Sequence, residues 1–266
     1  IVSLVCIHQS LHKPMYIFIA ALSINSVLFS TNIYPKLLID FLSEKQVITY
    51  QVCYFQGAVY YTLMYSEFAL LAAMAYDRYV AICKPLQYAT VMRKATVGVF
   101  LVLSWLVPAC ETTGAVVLNA NSRLCRFTLR GIFCNNTINY LYCVQSKALS
   151  LYGMVMLFNV AVLPVLFILF TYTRILIISY RSNREVRTKA AHTCVPHLLV
   201  LTSFSCFVAY DVIVVRIGSD IPKTARLIMT LQVVLYHPLF NPIIYGLKMK
   251  EISKHIEKLL CQVKSP

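Results

Sequence analysis

Apolar residues in this chain run on in long blocks, with neither the two-residue alternation of half-buried strands nor the narrow apolar stripe of a soluble helix. Runs of roughly twenty residues, enough to cross a hydrocarbon core as helices, lie at 15–39, 53–77, 96–119, 150–173, 192–215 and 227–247. Six full spans are therefore expected. Residues 1–7, IVSLVCI, are apolar but too short to cross, and they lack a charged leader start, so they read as the end of a span lying mostly upstream. Counting that segment as the first, the expected fold class is an all-α membrane protein, a seven-transmembrane helical bundle whose first span is largely missing from this fragment. Residues 1–266 then form one domain. Within 248–261, Ile252, Ile256, Leu259 and Leu260 share a face and lysines take the others, which predicts an interfacial helix on the inner leaflet.

Composition agrees with lipid as the solvent. The chain is 59% hydrophobic and 13% charged, with a mean hydropathy of +0.70, which excludes an ordinary water-soluble domain. Placing residues 8–14 inside puts fifteen of the 24 Lys and Arg residues in inner segments, the bias expected of a cytoplasmic side, and makes the C-terminus cytoplasmic. The net charge of +14 then reads as topology and attraction to anionic lipid. No basic and aromatic groove accompanies it, so nucleic acid is not an expected partner.

That topology divides the cysteines. Cys53 opens the third span on the outer side, and Cys125, Cys134 and Cys143 lie in the long outer loop before span five, where disulfides are permitted. Four cysteines leave three connectivities open. Cys6, Cys83, Cys110, Cys194, Cys206 and Cys261 fall in lipid or on the reducing side. The outer loop also carries the glycosylation sequon Asn135-Asn136-Thr137.

The charged positions inside the apolar runs carry the chemistry. In MAYDRYVAIC at 74–83, Asp77 and Arg78 close the third span at its cytoplasmic end. Counting outward from Arg78 at helical spacing gives Met74, Leu71, Glu67, Met64 and Tyr60 on one face, which should point into the bundle because it carries the ionisable groups. Alone, Asp77-Arg78 also reads as an interfacial anchor pair that ends a helix. The last span then favours a switch: Pro238-Leu239-Phe240-Asn241-Pro242-Ile243-Ile244-Tyr245 is a poor rigid helix, in which the Asn241 amide can exchange partners where backbone bonds are interrupted.

These motifs resemble the rhodopsin-like G-protein-coupled receptors. The longer stretches KPMYIFIAALS at 13–23, MAYDRYVAICKPLQY at 74–88, KAAHTCVPHL at 189–198 and NPIIYGLKMKE at 241–251 look like those of vertebrate odorant receptors. The segment LSINSVLFSTNIYPKLL at 22–38 is more similar to the fish-type branch. The resemblance implies a small odorant bound within the bundle, a heterotrimeric stimulatory (olfactory-type) G protein as partner, and a plasma-membrane location. It implies disulfides Cys53–Cys134 and Cys125–Cys143. It also implies an activation switch of Asp77, Arg78 and Tyr79 with Tyr172, Asn241, Pro242 and Tyr245, in which Arg78 is held by Asp77 at rest and released as the inner ends of the spans open.

Residues of the ligand pocket are expected from the outer halves of the spans: Tyr60, Tyr61, Met64 and Tyr65 in span three, Met156 and Val160 in span five, and Val208, Ala209 and Asp211 in span six. Asp211 is placed either to hold a cationic ligand group or to pair with Arg216. Ser26 stands where many members of the family carry Asp. Glu67, with Ser26 and Asn241, then becomes the candidate for a sodium pocket, the alternative being a protonated Glu hydrogen-bonded in the core. No other cofactor and no further metal are expected. An enzyme is not expected either, since G-x-S-x-G and H-E-x-x-H are both missing. A secondary transporter is the competing class, but it calls for an internal symmetry that the chain lacks.

Overall fold

In hydrocarbon every backbone N–H and C=O needs an internal partner, which leaves the helix as the way for an apolar run to cross without a closed barrel. The computed structural model describes residues 1–120, 122–129, 131–144, 146–182 and 184–217, together with 232, 235, 239, 243–245 and 252–254. Among these residues the regular structure is helical, apart from an isolated bridge between Leu124 and Tyr142. The helices are α1 (Val2–Ile7), α2 (Pro14–Leu42), α3 (Tyr50–Cys83), α4 (Tyr88–Val91), α5 (Lys94–Asn119), α6 (Lys147–Leu157), α7 (Leu163–Tyr180) and α8 (Arg184–Ile217). A π-helical turn, Phe158–Val162, joins α6 to α7. It sits just before Pro164, which has no N–H to give the preceding turn, so the ladder widens there without ending the span.

Among the described residues four helices are long and apolar enough to cross a membrane: α2, α3, α5 and the continuous α6–α7. In α8 the apolar part is Cys194–Ala209. Of the seventh expected span, 227–247, only 232, 235, 239 and 243–245 are described, and of the expected helix at 248–261 only 252–254; Asn241, Pro242 and the side chains of Asp211 and Arg216 lie outside the described residues.

Helix α3 is the hub, packed against α2, α5, α7 and α8. Its membrane window is 67% buried, against 17% for α5, which presents Val102, Leu103 and Leu106 outward to where lipid would lie. The stripe Tyr60, Met64, Glu67, Leu71 and Met74 is buried throughout. Polar side chains set the register between helices, as they do where lipid offers them no other partner. Asn25 of α2 donates to the Leu63 carbonyl at 2.9 Å and accepts from the Trp105 indole of α5 at 3.1 Å. One level further out, the amides of Asn32 and Gln56 each donate to the other's backbone carbonyl, at 3.0 and 2.9 Å.

Candidate functional site

The outer loop is bound to α3 from several directions. Disulfides join Cys53 to Cys134, with a Cα separation of 5.3 Å, and Cys125 to Cys143. The Cys134 N–H also donates to the buried Gln56 side chain at 3.1 Å. Gly57 makes this approach possible: a Cβ there would sit 3.3 Å from the Cys134 carbonyl oxygen and 3.3 Å from Ile138 Cδ1, so the loop rests directly on the helix. The hydroxyls of Tyr50 and Tyr142 meet at 2.9 Å, and Tyr142 packs with Cys53, Cys134, Ile138 and Leu141 in a small core of its own.

Beneath the loop lies a cavity of about 690 Å³ between α3, α5 and α6. Tyr61, Tyr65 and Met156 line it, together with Asn119, Asn139 and Tyr152. Tyr60 lies in the packed core instead, against Phe29 at 5.2 Å and against Tyr61 and Phe133 at 5.0 Å each. Met64, Val160 and Val208 share that core, and Ala209 is exposed. For Tyr60 and Met64 the physical reason is helical phase: each lies one position before a lining residue, and that step turns the side chain about 100° around the helix, toward the core. Asn135 lies on the cavity wall and caps the 3₁₀ turn Asn136–Leu141, accepting from the Thr137 N–H at 3.2 Å and from its hydroxyl at 2.9 Å.

At the inner end, Asp77 is fully buried and each of its carboxylate oxygens is engaged. Arg78 donates to Oδ2 through Nε at 2.9 Å and through Nη2. Oδ1 accepts from the hydroxyl of Tyr88 at 2.7 Å. Tyr88 belongs to α4, which the break at Lys84-Pro85 turns back toward α3. Burial and then the Asp77 carboxylate push the Tyr88 phenol up, so it stays protonated and donating at physiological pH. Its role was missed in the sequence. The sole signal was the motif's own ending, KPLQY, since nothing local says that a loop residue folds back onto Asp77.

Further into the bundle, Tyr172 of α7 is buried, and its hydroxyl has no hydrogen-bond partner among the described residues. Its ring packs on His197 of α8 at 5.4 Å. Tyr245 is buried in the same core, and Tyr79 stacks on Tyr76 with Lys84 Nζ 6.0 Å from its ring centroid. Between the two ends, Glu67 and Ser26 are both buried, and the Ser26 hydroxyl donates to the Leu22 carbonyl at 3.0 Å. Among the described residues no group of three or more His, Cys, Asp or Glu is arranged to hold a metal.

Replacing Tyr88 by Phe removes one hydrogen bond from the resting arrangement of Asp77 and nothing from the cavity. In the switch that the resemblance implies, the expected outcome is a higher ligand-independent signal, by roughly fivefold for about 1 kcal/mol of lost stabilisation. Basal cyclic AMP at matched surface expression measures it, and an unchanged basal level would show that Tyr88 does not restrain the switch.

Comparison with known proteins follows the same outline. The family model described as olfactory receptor matches residues 1–263. Olfactory receptor 5M5 of Mus musculus is 35% identical over 274 residues, covering 97% of this chain and 81% of that receptor. Olfactory receptor 2AT4 of Homo sapiens is 31% identical over 261 residues, covering 95% of this chain and 79% of its own. Among solved structures, squid rhodopsin matches with a TM-score of 0.73 at 18% identity, over 99% of this chain and 80% of that chain, a likeness of fold.

Proposed function

Because the chain belongs to the olfactory receptor family, we propose that it is an odorant receptor of the plasma membrane: a small molecule enters the outer cavity, and the receptor activates a heterotrimeric stimulatory (olfactory-type) G protein. It has a G-protein-coupled receptor fold and its relatives are not enzymes. One observation carries the mechanism. A single continuous helix, α3, holds the cavity wall at Tyr61 and Tyr65 and, at its other end, the buried Asp77 paired with the half-buried Arg78. A ligand that favours a second arrangement of α3 against its neighbours thereby changes the surroundings of Arg78. The Tyr172 hydroxyl, without a hydrogen-bond partner among the described residues, stands ready to receive the guanidinium once Asp77 releases it, and Tyr245, Asn241 and Pro242 complete the switch. The cytoplasmic C-terminus follows from the charge bias alone, and the fish-type branch from the resemblance of residues 22–38 alone.

The test is cyclic AMP in cells that deliver the receptor to the surface, read across an odorant panel beside uptake of labelled solutes. A ligand-evoked rise without uptake is the expected result. Uptake without a rise would favour the transporter class.

A monovalent cation bound by Glu67 and Ser26, with Asn241, belongs to the resting state in this reading. Raising sodium against a bulky organic cation should then lower agonist potency in the wild type, and Glu67→Gln should flatten that dependence. Equal sodium sensitivity in both proteins would leave Glu67 with a packing role only.

A further inference from the structure

Tyr152 of α6 lines the cavity at its seam with α5, and its proton is already committed: the hydroxyl donates to the Glu111 carbonyl oxygen at 2.8 Å. The phenolic oxygen is left with acceptor capacity only. Gly114 of α5 makes this possible, because a Cβ at that position would clash with the Tyr152 oxygen. The Glu111 carboxylate turns to Asn159, at 3.4 Å, and is not part of the cavity wall. Among the described residues no Lys, Arg, His, Asp or Glu lines the cavity, whose polar side chains there are tyrosine, asparagine, serine and threonine. Against these residues an ionised ligand would leave water without meeting a counter-charge.

We propose that the seam between α5 and α6 is a ligand subsite in which the Tyr152 oxygen accepts a hydrogen bond from the hydroxyl of an uncharged ligand. Gly114 holds the Tyr152 ring in register, and Gly153, also on the cavity wall, sets the room beside it. This rests on the odorant-receptor reading and adds the chemical class of the ligand and the residues that select it. The two glycines act differently. Gly114 is occupied space, whereas a Cβ at Gly153 meets nothing within 4 Å among the described residues, so a side chain can be added there without displacing any of them.

The experiment uses the whole receptor at the cell surface and reads cyclic AMP against concentration. The probes share one skeleton in four forms, alcohol, methyl ether, amine and carboxylate, on a phenethyl and an octyl frame. The alcohol should be the most potent member, about tenfold above its ether, which fills the same space but cannot donate. Tyr152→Phe should abolish the alcohol-to-ether ratio, and Gly114→Ala should reduce it by moving the ring. Gly153→Leu should be delivered to the surface normally and lose potency for the phenethyl series more than for the slender octyl one.

A charged member as the best agonist would overturn the proposal. So would an alcohol-to-ether ratio that survives Tyr152→Phe, which is what a merely structural Tyr152 predicts because both forms then weaken together. A panel silent on a receptor with an intact basal signal overturns the subsite as well. Silence together with no basal signal, in cells whose G protein answers another receptor, removes the odorant-receptor reading itself.

Discussion

Arg78→Ala should leave a receptor that reaches the surface and binds ligand but no longer drives nucleotide exchange on its G protein. The separation of the two properties follows from distance. Arg78 lies thirteen residues beyond Tyr65 on one helix, roughly 20 Å along its axis, so truncating it removes no wall of the cavity. At the inner end the loss is larger than one ion pair. Asp77 keeps the Tyr88 hydrogen bond on one oxygen, but the other loses both guanidinium donors and is left buried. That unpaired carboxylate disfavours the resting arrangement of the inner end. The resting state is therefore weakened, while the group that must meet the opened state is gone. Ligand displacement and GTP exchange on the same membranes separate the two effects. Normal exchange at matched expression would remove Arg78 from the switch.

Serine at Cys53 or Cys134 should sharply reduce delivery to the cell surface, whereas serine at Cys83 or Cys6 should not. The Cys53–Cys134 bridge closes a loop across 81 residues of sequence separation, and such cross-links restrict the unfolded chain by about 2–4 kcal/mol. That figure is of the order of a marginal protein's whole stability. Cys53, Cys134, Ile138, Leu141 and Tyr142 pack around the bridge, so its loss also loosens the roof of the cavity. Cys6 is exposed and Cys83 half-buried, and both are free thiols. Surface labelling of the four single variants decides the matter, and equal labelling of all four would deny the bridge any part in maturation.

Hydropathy marked the four expected spans that α2, α3, α5 and α6–α7 carry, but not where those helices end. It marks where lipid begins and ends, and helical backbone continues past that boundary wherever neighbours still pack: α3 runs on through Arg78 to Cys83, and α8 begins eight residues before the apolar run expected at 192. The inward stripe of α3 was legible because it needs only the helical period and the placement of two ionisable residues. Disulfide pairing was not, since four cysteines on one side of a membrane are chemically equivalent until the loop is folded. The resemblance of the motifs supplied that pairing. The cavity wall was partly legible. Aromatic richness pointed to Tyr61 and Tyr65, yet the same criterion selected Tyr60, whose phase on the helix turns it into the core. Tyr88 and Tyr152 depend on contacts eleven and forty-one residues away in sequence, with Asp77 and Glu111, and no local pattern announces either one.

The central claim is that a ligand beneath the outer loop changes the spacing of the inner helix ends. Spin labels at Thr90 and Thr188, exposed positions on α4 and α8, measure that spacing across the cytoplasmic face. With an agonist and the stimulatory G protein present, the distance should lengthen by several ångströms, and it should return when the agonist is withdrawn. A distance that stays constant while the G protein exchanges its nucleotide would contradict the account.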